Sequence, residues 1–284
     1  MVKANESLEQ PMIAPASSSL SLPEILPVEE TLRRVLAQDS QRGPIGDAMR
    51  YAVFGGAGRI RPILTMRIAR IAGSHPCMTA RAAAAVELLH CASLIVDDLP
   101  CMDNDSERRG RAAVHIRFGE ATAVLAAHSL VALSARCLVG PEVPEEFLPA
   151  MVRLQIRLLD AMDANGLCGG QQMDLDGSGS NAAVTELKTV PLFRLAVEAG
   201  SIGGSRWEQW RFPLRSFARE IGAVYQMTDD YLDGDLTDRC ALEKQYFAAR
   251  ACLSPLGESA AEPLLELLES LHARIPSPSD RSHR

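Results

Sequence analysis

Asp97-Asp98-Leu99-Pro100-Cys101-Met102-Asp103, followed by Arg108-Arg109-Gly110, is the stretch on which the reading of this chain turns. Its three carboxylates follow an apolar run, Ala82 to Val96, whose Ala- and Leu-rich composition predicts a helix. A second cluster, Asp229-Asp230-Tyr231-Leu232-Asp233, closes another helical pattern far downstream. Like charges so grouped destabilise a fold unless a cation neutralises them. Aspartates at a helix C-terminus also oppose the helix dipole. One such run reads as a solvated acidic helix end; two, both against the dipole, read better as a site. Hard carboxylate oxygens suit Mg²⁺, which keeps several waters and bridges to phosphates. With arginines beside the first cluster, the pattern points to a metal-diphosphate site. Arg59, Arg61, Arg108, Arg109 and Lys188 are the candidate cationic partners for diphosphate oxygens.

Composition bounds the alternatives. The chain has 284 residues, 47% hydrophobic and 23% charged, as a globular protein does. A net charge of −7 argues against nucleic acid as a partner. Seven cysteines follow no CxxC or Cys/His metal spacing, which favours free thiols in a reducing, cytoplasmic setting. No signal peptide is read at the N-terminus, and no membrane span is expected.

Around the acidic stretch the chain reads as helices. Residues 1–22 look like a disordered tail, 23–275 a single all-α domain, and 276–284 a polar tail. Pro44 suits the first turn of a helix. Gly55-Gly56-Ala57-Gly58 stops that helix, and Gly73 ends the one beginning near Arg59. Met78–Asp98 is the strongest helical segment. Ala121–Val139 is so apolar that burial on all sides is expected, with His128 its one interior polar group. Pro144–Asn165 reads as an amphipathic helix. Gly169–Asp174 reads as a glycine-rich break, and Val184–Gly200 as one helix kinked by Pro191. Trp207–Asp233, Leu242–Leu253 and Glu258–Ile275 follow. No β-alternation or hairpin signal competes, and a bundle of roughly ten helices is expected.

The ordered motifs resemble those of the trans-isoprenyl diphosphate synthases, near the geranylgeranyl diphosphate synthases. They are Asp97-Asp98-x4-Asp103 with Arg108-Arg109-Gly110, Gly169-Gly170-Gln171-x2-Asp174, Lys188-Thr189, and Tyr225-Gln226-x2-Asp229-Asp230-x2-Asp233. The resemblance covers about residues 28–235. It implies an isoprenoid-synthase helical bundle with a central apolar cavity. It also implies transfer of an allylic group to isopentenyl diphosphate through ionisation of the allylic diphosphate. By the same resemblance, about three Mg²⁺ ions are held by Asp97, Asp98, Asp103, Asp229, Asp230 and Asp233. Arg108, Lys188 and Gln226, with Thr189, would attend the allylic diphosphate. Arg61, His90 and Arg109 would bind isopentenyl diphosphate. The catalytic set so implied is Asp97, Asp98, Lys188, Gln226 and Asp229. Ala92 and Ser93, one turn before Asp97, would govern product length, and their small size implies a geranylgeranyl (C20) product. Relatives are usually homodimers, and Ala121–Val139 is a candidate interface.

The sequence also departs from that pattern. Gly58 stands where the family usually has a lysine for isopentenyl diphosphate. Val96 replaces a frequent histidine, and Ala127-His128 a Gly-Asp pair. The segment after Asp233 is short, and Lys244 lies in unmatched surroundings. Two alternatives therefore stand beside an elongating synthase. One is a modulating subunit in a heterodimer with another synthase. The other is an enzyme that ionises allylic diphosphates without coupling them, as class I terpene synthases do.

Overall fold

In the computed structural model of the chain, residues 22–37, 42–56 and 58–276 are described. The expected N-terminal tail and nearly all of the C-terminal one lie outside them. The described residues form thirteen α-helices. Helix α4 (Pro76–Asp97) is the axis of the bundle. Ala82, Ala83, Ala84 and Ala85 are all fully buried, so neighbouring helices surround it instead of covering one stripe. Small side chains let those helices come close. They are α1 (Leu22–Leu36), α2 (Gly43–Val53), α3 (Ile60–Ala72), α6 (Glu120–Leu138) and α10 (Val190–Gly200). One contiguous apolar core runs from Val28 to Leu271.

Local signals place several boundaries as expected. Pro44 lies in the first turn of α2. Gly73 caps α3 in the left-handed region, with φ 70°. The long helix α11 (Trp207–Asp233) ends at Gly234, φ 93°, directly after the second acidic cluster. Close approach explains Gly200, where a Cβ would lie 2.6 Å from the Thr65 carbonyl of α3.

The structure corrects five expectations. First, α6 is not buried on all sides: Leu125 is 51% exposed, and His128 lies on the exposed face. Second, Gly169–Asp174 is no break but part of helix α8 (Leu167–Asp176), whose glycines allow close packing. Third, Val184–Gly200 divides into α9 (Asn181–Lys188) and α10, with Pro191 in the first turn of α10. Fourth, Pro144–Asn165 is a short 3₁₀ turn followed by α7 (Leu148–Met162). Fifth, Glu107–Arg108 and Arg111–Ala112 form a small antiparallel hairpin, β1 and β2. Its two central residues, Arg109 (φ 57°) and Gly110 (φ 71°), both take positive φ, as a type I′ turn demands. Helix α5 (Val114–Phe118) follows it. Two helices, α4 and α6, are long and apolar enough to cross a membrane by length and composition. The most apolar window of α4 is 89% buried within the bundle, as for a core helix, against 44% for α6. After α11, α12 (Arg239–Cys252) and α13 (Glu258–His272) complete the bundle and pack on it.

Candidate active site

The first acidic cluster sits where α4 ends and the chain turns through Leu99–Asn104 toward the hairpin. Backbone bonds from Asp103 N to Asp97 O (2.9 Å) and from Asn104 N to Leu99 O (3.1 Å) hold that turn. Asp97 and Asp98 are consecutive and so point about 100° apart. Asp97 lines a cavity of about 140 Å³ between α4 and α8, with Ser93, Val96, Met102, Met162, Leu167, Gln171 and Lys188. Asp98 lines a smaller recess of about 30 Å³ beside the hairpin. It is only 2% exposed and is bound by Arg108 through Nε at 2.8 Å and through Nη2. The structure thus groups Asp97 with Asp103 around Lys188 but turns Asp98 to Arg108. That leaves Asp98 and Arg108 as each other's partners, not as free ligand and free clamp.

Lys188 ends α9, a favourable place for a cation on the helix dipole. Its Nζ lies 2.7 Å from Asp174 and 3.9 Å from Asp103. Burial works against its charge, but these carboxylates and Asp97 outweigh that and hold its pKa up. Gly170 makes this placement possible, since a Cβ there would lie 2.5 Å from the Lys188 backbone nitrogen. The next residue, Thr189, is buried and donates from Oγ1 to Gln226 Oε1 at 2.7 Å. Gln226 then donates from Nε2 to Asp230 Oδ1 at 2.8 Å. Lys188–Thr189 and Gln226 therefore join the two acidic clusters by direct contacts.

The carboxylates carry the electrostatic signature of a cation-deficient site. Burial pushes Asp97 up to about 6; Lys188 opposes this and Asp103 adds to it. Burial also raises Asp229, partly offset by Arg274, whose Nη2 lies 2.7 Å from Asp229 Oδ1. Asp233 is exposed at the end of α11. Among the described residues, no three His, Cys, Asp or Glu side chains stand close enough to cage a metal on their own. This donor set fits Mg²⁺, which commonly takes one or two carboxylates and fills its shell with water and phosphate oxygens.

On the other side of α4, Arg61 Nη1 lies 3.2 Å and Arg109 Nη2 3.5 Å from His90 Nε2. Burial and these arginines push the His90 pKa well below its ordinary value, so the ring is neutral and offers one lone pair. Two guanidinium groups share it. Arg61 is 5% exposed, its Nε has no partner, and among the described residues it pairs with no carboxylate. A buried cation without a counterion is costly, and this arrangement asks for an anionic ligand. Arg59 does not join the group: it is buried between Glu29 and Glu87, 2.7 Å from each.

Ser93 lies on the 140 Å³ cavity, whereas Ala92 is fully buried in the core. Lys244 is exposed on α12. Three residues given no role by the sequence reading, two of them quoted only as members of its motifs, now stand at the site. Gln171, on the cavity wall, has both amide atoms buried without partners. Its place in the glycine-rich motif was the available signal. Tyr225 packs against Phe193 with the rings tilted, and both rings approach the Arg61 guanidinium. Arg274 reaches in from beyond α13, and no local pattern marks it.

Residues 43–246 match the polyprenyl synthetase family. The chain is 38% identical over 202 residues to geranylgeranyl pyrophosphate synthase 10, mitochondrial, of Arabidopsis thaliana, covering 66% of this chain and 57% of that protein. It is 37% identical over 215 residues to the farnesyl diphosphate synthase of Geobacillus stearothermophilus, covering 72% and 71%. The chain thus spans a little over half the length of the plant relative. A solved geranyltransferase structure from Legionella pneumophila superposes with a TM-score of 0.78 at 33% identity, covering 87% of this chain and 93% of that one.

Proposed function

Since this chain belongs to the polyprenyl synthetase family, we propose that it condenses isopentenyl diphosphate with an allylic diphosphate, with Mg²⁺ bound. The observation that carries this is the contact chain Asp103–Lys188, Thr189–Gln226–Asp230, which seats both acidic clusters on one rim beside an apolar cavity. When bound, Mg²⁺ would neutralise the leaving diphosphate. Asp97, Asp103, Asp229, Asp230 and Asp233 would hold it, with Asp98 fixing Arg108. Lys188 would donate to the allylic diphosphate. Arg61 and Arg109, positioned by neutral His90, would hold isopentenyl diphosphate. Donors fixed in advance stabilise the departing charge without reorganising. The cavity between α4 and α8 would shield the allylic cation from water until the alkene attacks it and a proton is lost.

We assign the product as geranylgeranyl diphosphate (C20). Small Ser93 on the cavity wall supports this, while the relatives carry both farnesyl and geranylgeranyl names. Unpaired cysteines support a reducing, cytoplasmic setting. The half-exposed apolar face of α6 supports a homodimer. The absence of a lysine at Gly58 favours one second reading, a weakened subunit that modulates a partner synthase.

The test is incubation of purified protein with Mg²⁺, labelled isopentenyl diphosphate and each allylic primer. Elongated product is expected. Mg²⁺-dependent diphosphate release without isopentenyl diphosphate would replace condensation by simple ionisation. No product alone, with an altered product from a mixed partner synthase, would establish the subunit reading.

A further inference from the structure

The hairpin that carries Arg108 and Arg109 has little of its own to hold it in place. Each strand is two residues long, and a two-stranded ribbon is marginal by itself. Arg109 sits at its tip in the left-handed region, φ 57°, a conformation that a residue other than glycine keeps only where its surroundings fix it. Arg108 and Arg111 face each other across the ribbon, and like charges directly opposite repel. A recess of about 30 Å³ lies between the ribbon, α2 and α4, so part of its inner face has no packing beneath it. One side chain of α2 meets each of these needs. The Tyr51 hydroxyl donates to the Ala112 carbonyl of β2 at 2.9 Å. The Arg111 guanidinium carbon lies 4.0 Å from the centre of the Tyr51 ring, within cation–π range, which gives that charge a partner of its own. Arg117 of α5 approaches the same ring at 4.8 Å, and Phe118 meets it edge-on with centroids 5.4 Å apart. Gly55 leaves the space that Arg111 fills, since a Cβ there would lie 2.8 Å from Arg111 Nη1.

We propose that Tyr51 is a positioning residue of the active site: chiefly through its ring, it ties β2 and α5 to α2 and so fixes the hairpin tip, which lets Arg109 reach His90 and Arg108 reach Asp98. The ribbon then has one anchored edge and one working edge. On the working edge, β1, Arg108 donates from Nε to Asp98 at 2.8 Å and from Nη2 to Asp105 at 2.8 Å. At the tip, Arg109 Nη2 stands 3.5 Å from His90 Nε2, the outer limit of a hydrogen bond, so a small shift of the ribbon breaks that contact. The consequence for isopentenyl diphosphate rests on the prenyl-transfer reading and deepens it by naming the residue that aims Arg109. The hold of Tyr51 on the ribbon does not depend on that reading.

The experiment has two arms on the full chain. Hydrogen exchange read by mass spectrometry on the metal-free protein compares residues 105–118 with residues 76–97 of α4. Calorimetry, with Mg²⁺ and a non-ionisable allylic thiolodiphosphate present, measures the binding of isopentenyl diphosphate. Tyr51→Leu removes ring and hydroxyl together; Tyr51→Phe keeps the ring. Tyr51→Leu is expected to exchange about tenfold faster over 105–118 with 76–97 unchanged, and to bind isopentenyl diphosphate about tenfold more weakly, the scale of a cation–π pair with its hydrogen bond. Tyr51→Phe is expected to stay within about threefold of wild type in both arms, because the stacked arginines remain. Wild-type exchange over 105–118 in Tyr51→Leu overturns the proposal. So does equally faster exchange in α4, which marks a general loosening of the core. Faster exchange over 105–118 with unaltered affinity overturns it too, since the tip then needs no aiming, as does Tyr51→Phe faring no better than Tyr51→Leu. If wild type itself binds no isopentenyl diphosphate, the prenyl-transfer reading falls, while exchange over 105–118 still decides whether Tyr51 holds the ribbon.

Discussion

Removing the charge of Asp97 should stabilise the metal-free protein while destroying its response to metal. In the folded chain the Asp97 carboxyl titrates at about 6, against 3.8 for the ordinary group, because burial outweighs the attraction of Lys188. The folded-state value is raised, so the native protein holds this proton more tightly than the unfolded chain does. The cost of the charge is therefore fully present above about pH 6 and disappears as pH falls below 3.8. At roughly 1.4 kcal/mol per pH unit, the ceiling is on the order of 3 kcal/mol at pH 7.5. Asp97→Asn keeps the shape and leaves Lys188 its 2.7 Å bond to Asp174, so it should recover about 1–2 kcal/mol of this. In a chain of this size that is a rise in Tm of about 2–4 °C in EDTA. At pH 5 the gain should fall to about half. Mg²⁺ with inorganic diphosphate should then reverse the order, since ligand at a hundredfold excess over its Kd adds about 2.7 kcal/mol to wild type alone. Thermal melts at pH 7.5 and pH 5, with EDTA and with Mg²⁺ diphosphate, read all of this. A variant no more stable than wild type at pH 7.5, or a gain that does not shrink toward pH 5, refutes the view of Asp97 as a carboxylate held ready for a cation.

Three further perturbations probe other parts of the site and fold. Gly170→Val places a side chain 2.5 Å from the Lys188 backbone nitrogen, so turnover should fall about tenfold to a hundredfold with little change in far-ultraviolet dichroism; full activity would mean Lys188 needs no such placement. Ser93→Phe should shorten the product found by chromatography because Ser93 lines the cavity, whereas Ala92→Phe, in the fully buried core, should cost about 1–3 kcal/mol of stability in urea unfolding. An unchanged product from Ser93→Phe would move the chain-length floor elsewhere. Leu125→Glu puts a charge on the exposed apolar face of α6, and sedimentation should show a dimer becoming a monomer; wild type running as a monomer removes that interface.

Much of the fold was legible because its signals are local. Pro44 and Gly73 act within one turn of their own helices, so the start of α2 and the end of α3 could be read from a few residues. The strongest apolar run did become the central helix. The differences share a cause. Gly169 and Gly170 have the composition of a breaker, yet they lie in α8, where the need was room for a neighbour. Helix α6 is apolar throughout, and composition cannot say which of its faces lacks a partner within the chain. The hairpin escapes a reading of the sequence because two residues per strand leave no alternation to detect.

At the site the division runs along the same line. Residue type and spacing singled out the two aspartate clusters, and the family resemblance implied roles for Lys188, Thr189, Gln226, Arg61, His90 and Arg109. Orientation and partnership needed the packed bundle. The 100° step between neighbours on a helix sends Asp97 to the cavity and Asp98 to Arg108. Arg59 and Arg61, two residues apart, part company because Glu29 and Glu87 stand beside only one of them. Arg274 meets Asp229 across 45 residues of chain. A sequence specifies the chemistry each residue brings; long-range packing selects which of those groups face one another, because burial and distance, not identity, set the strength of every charge.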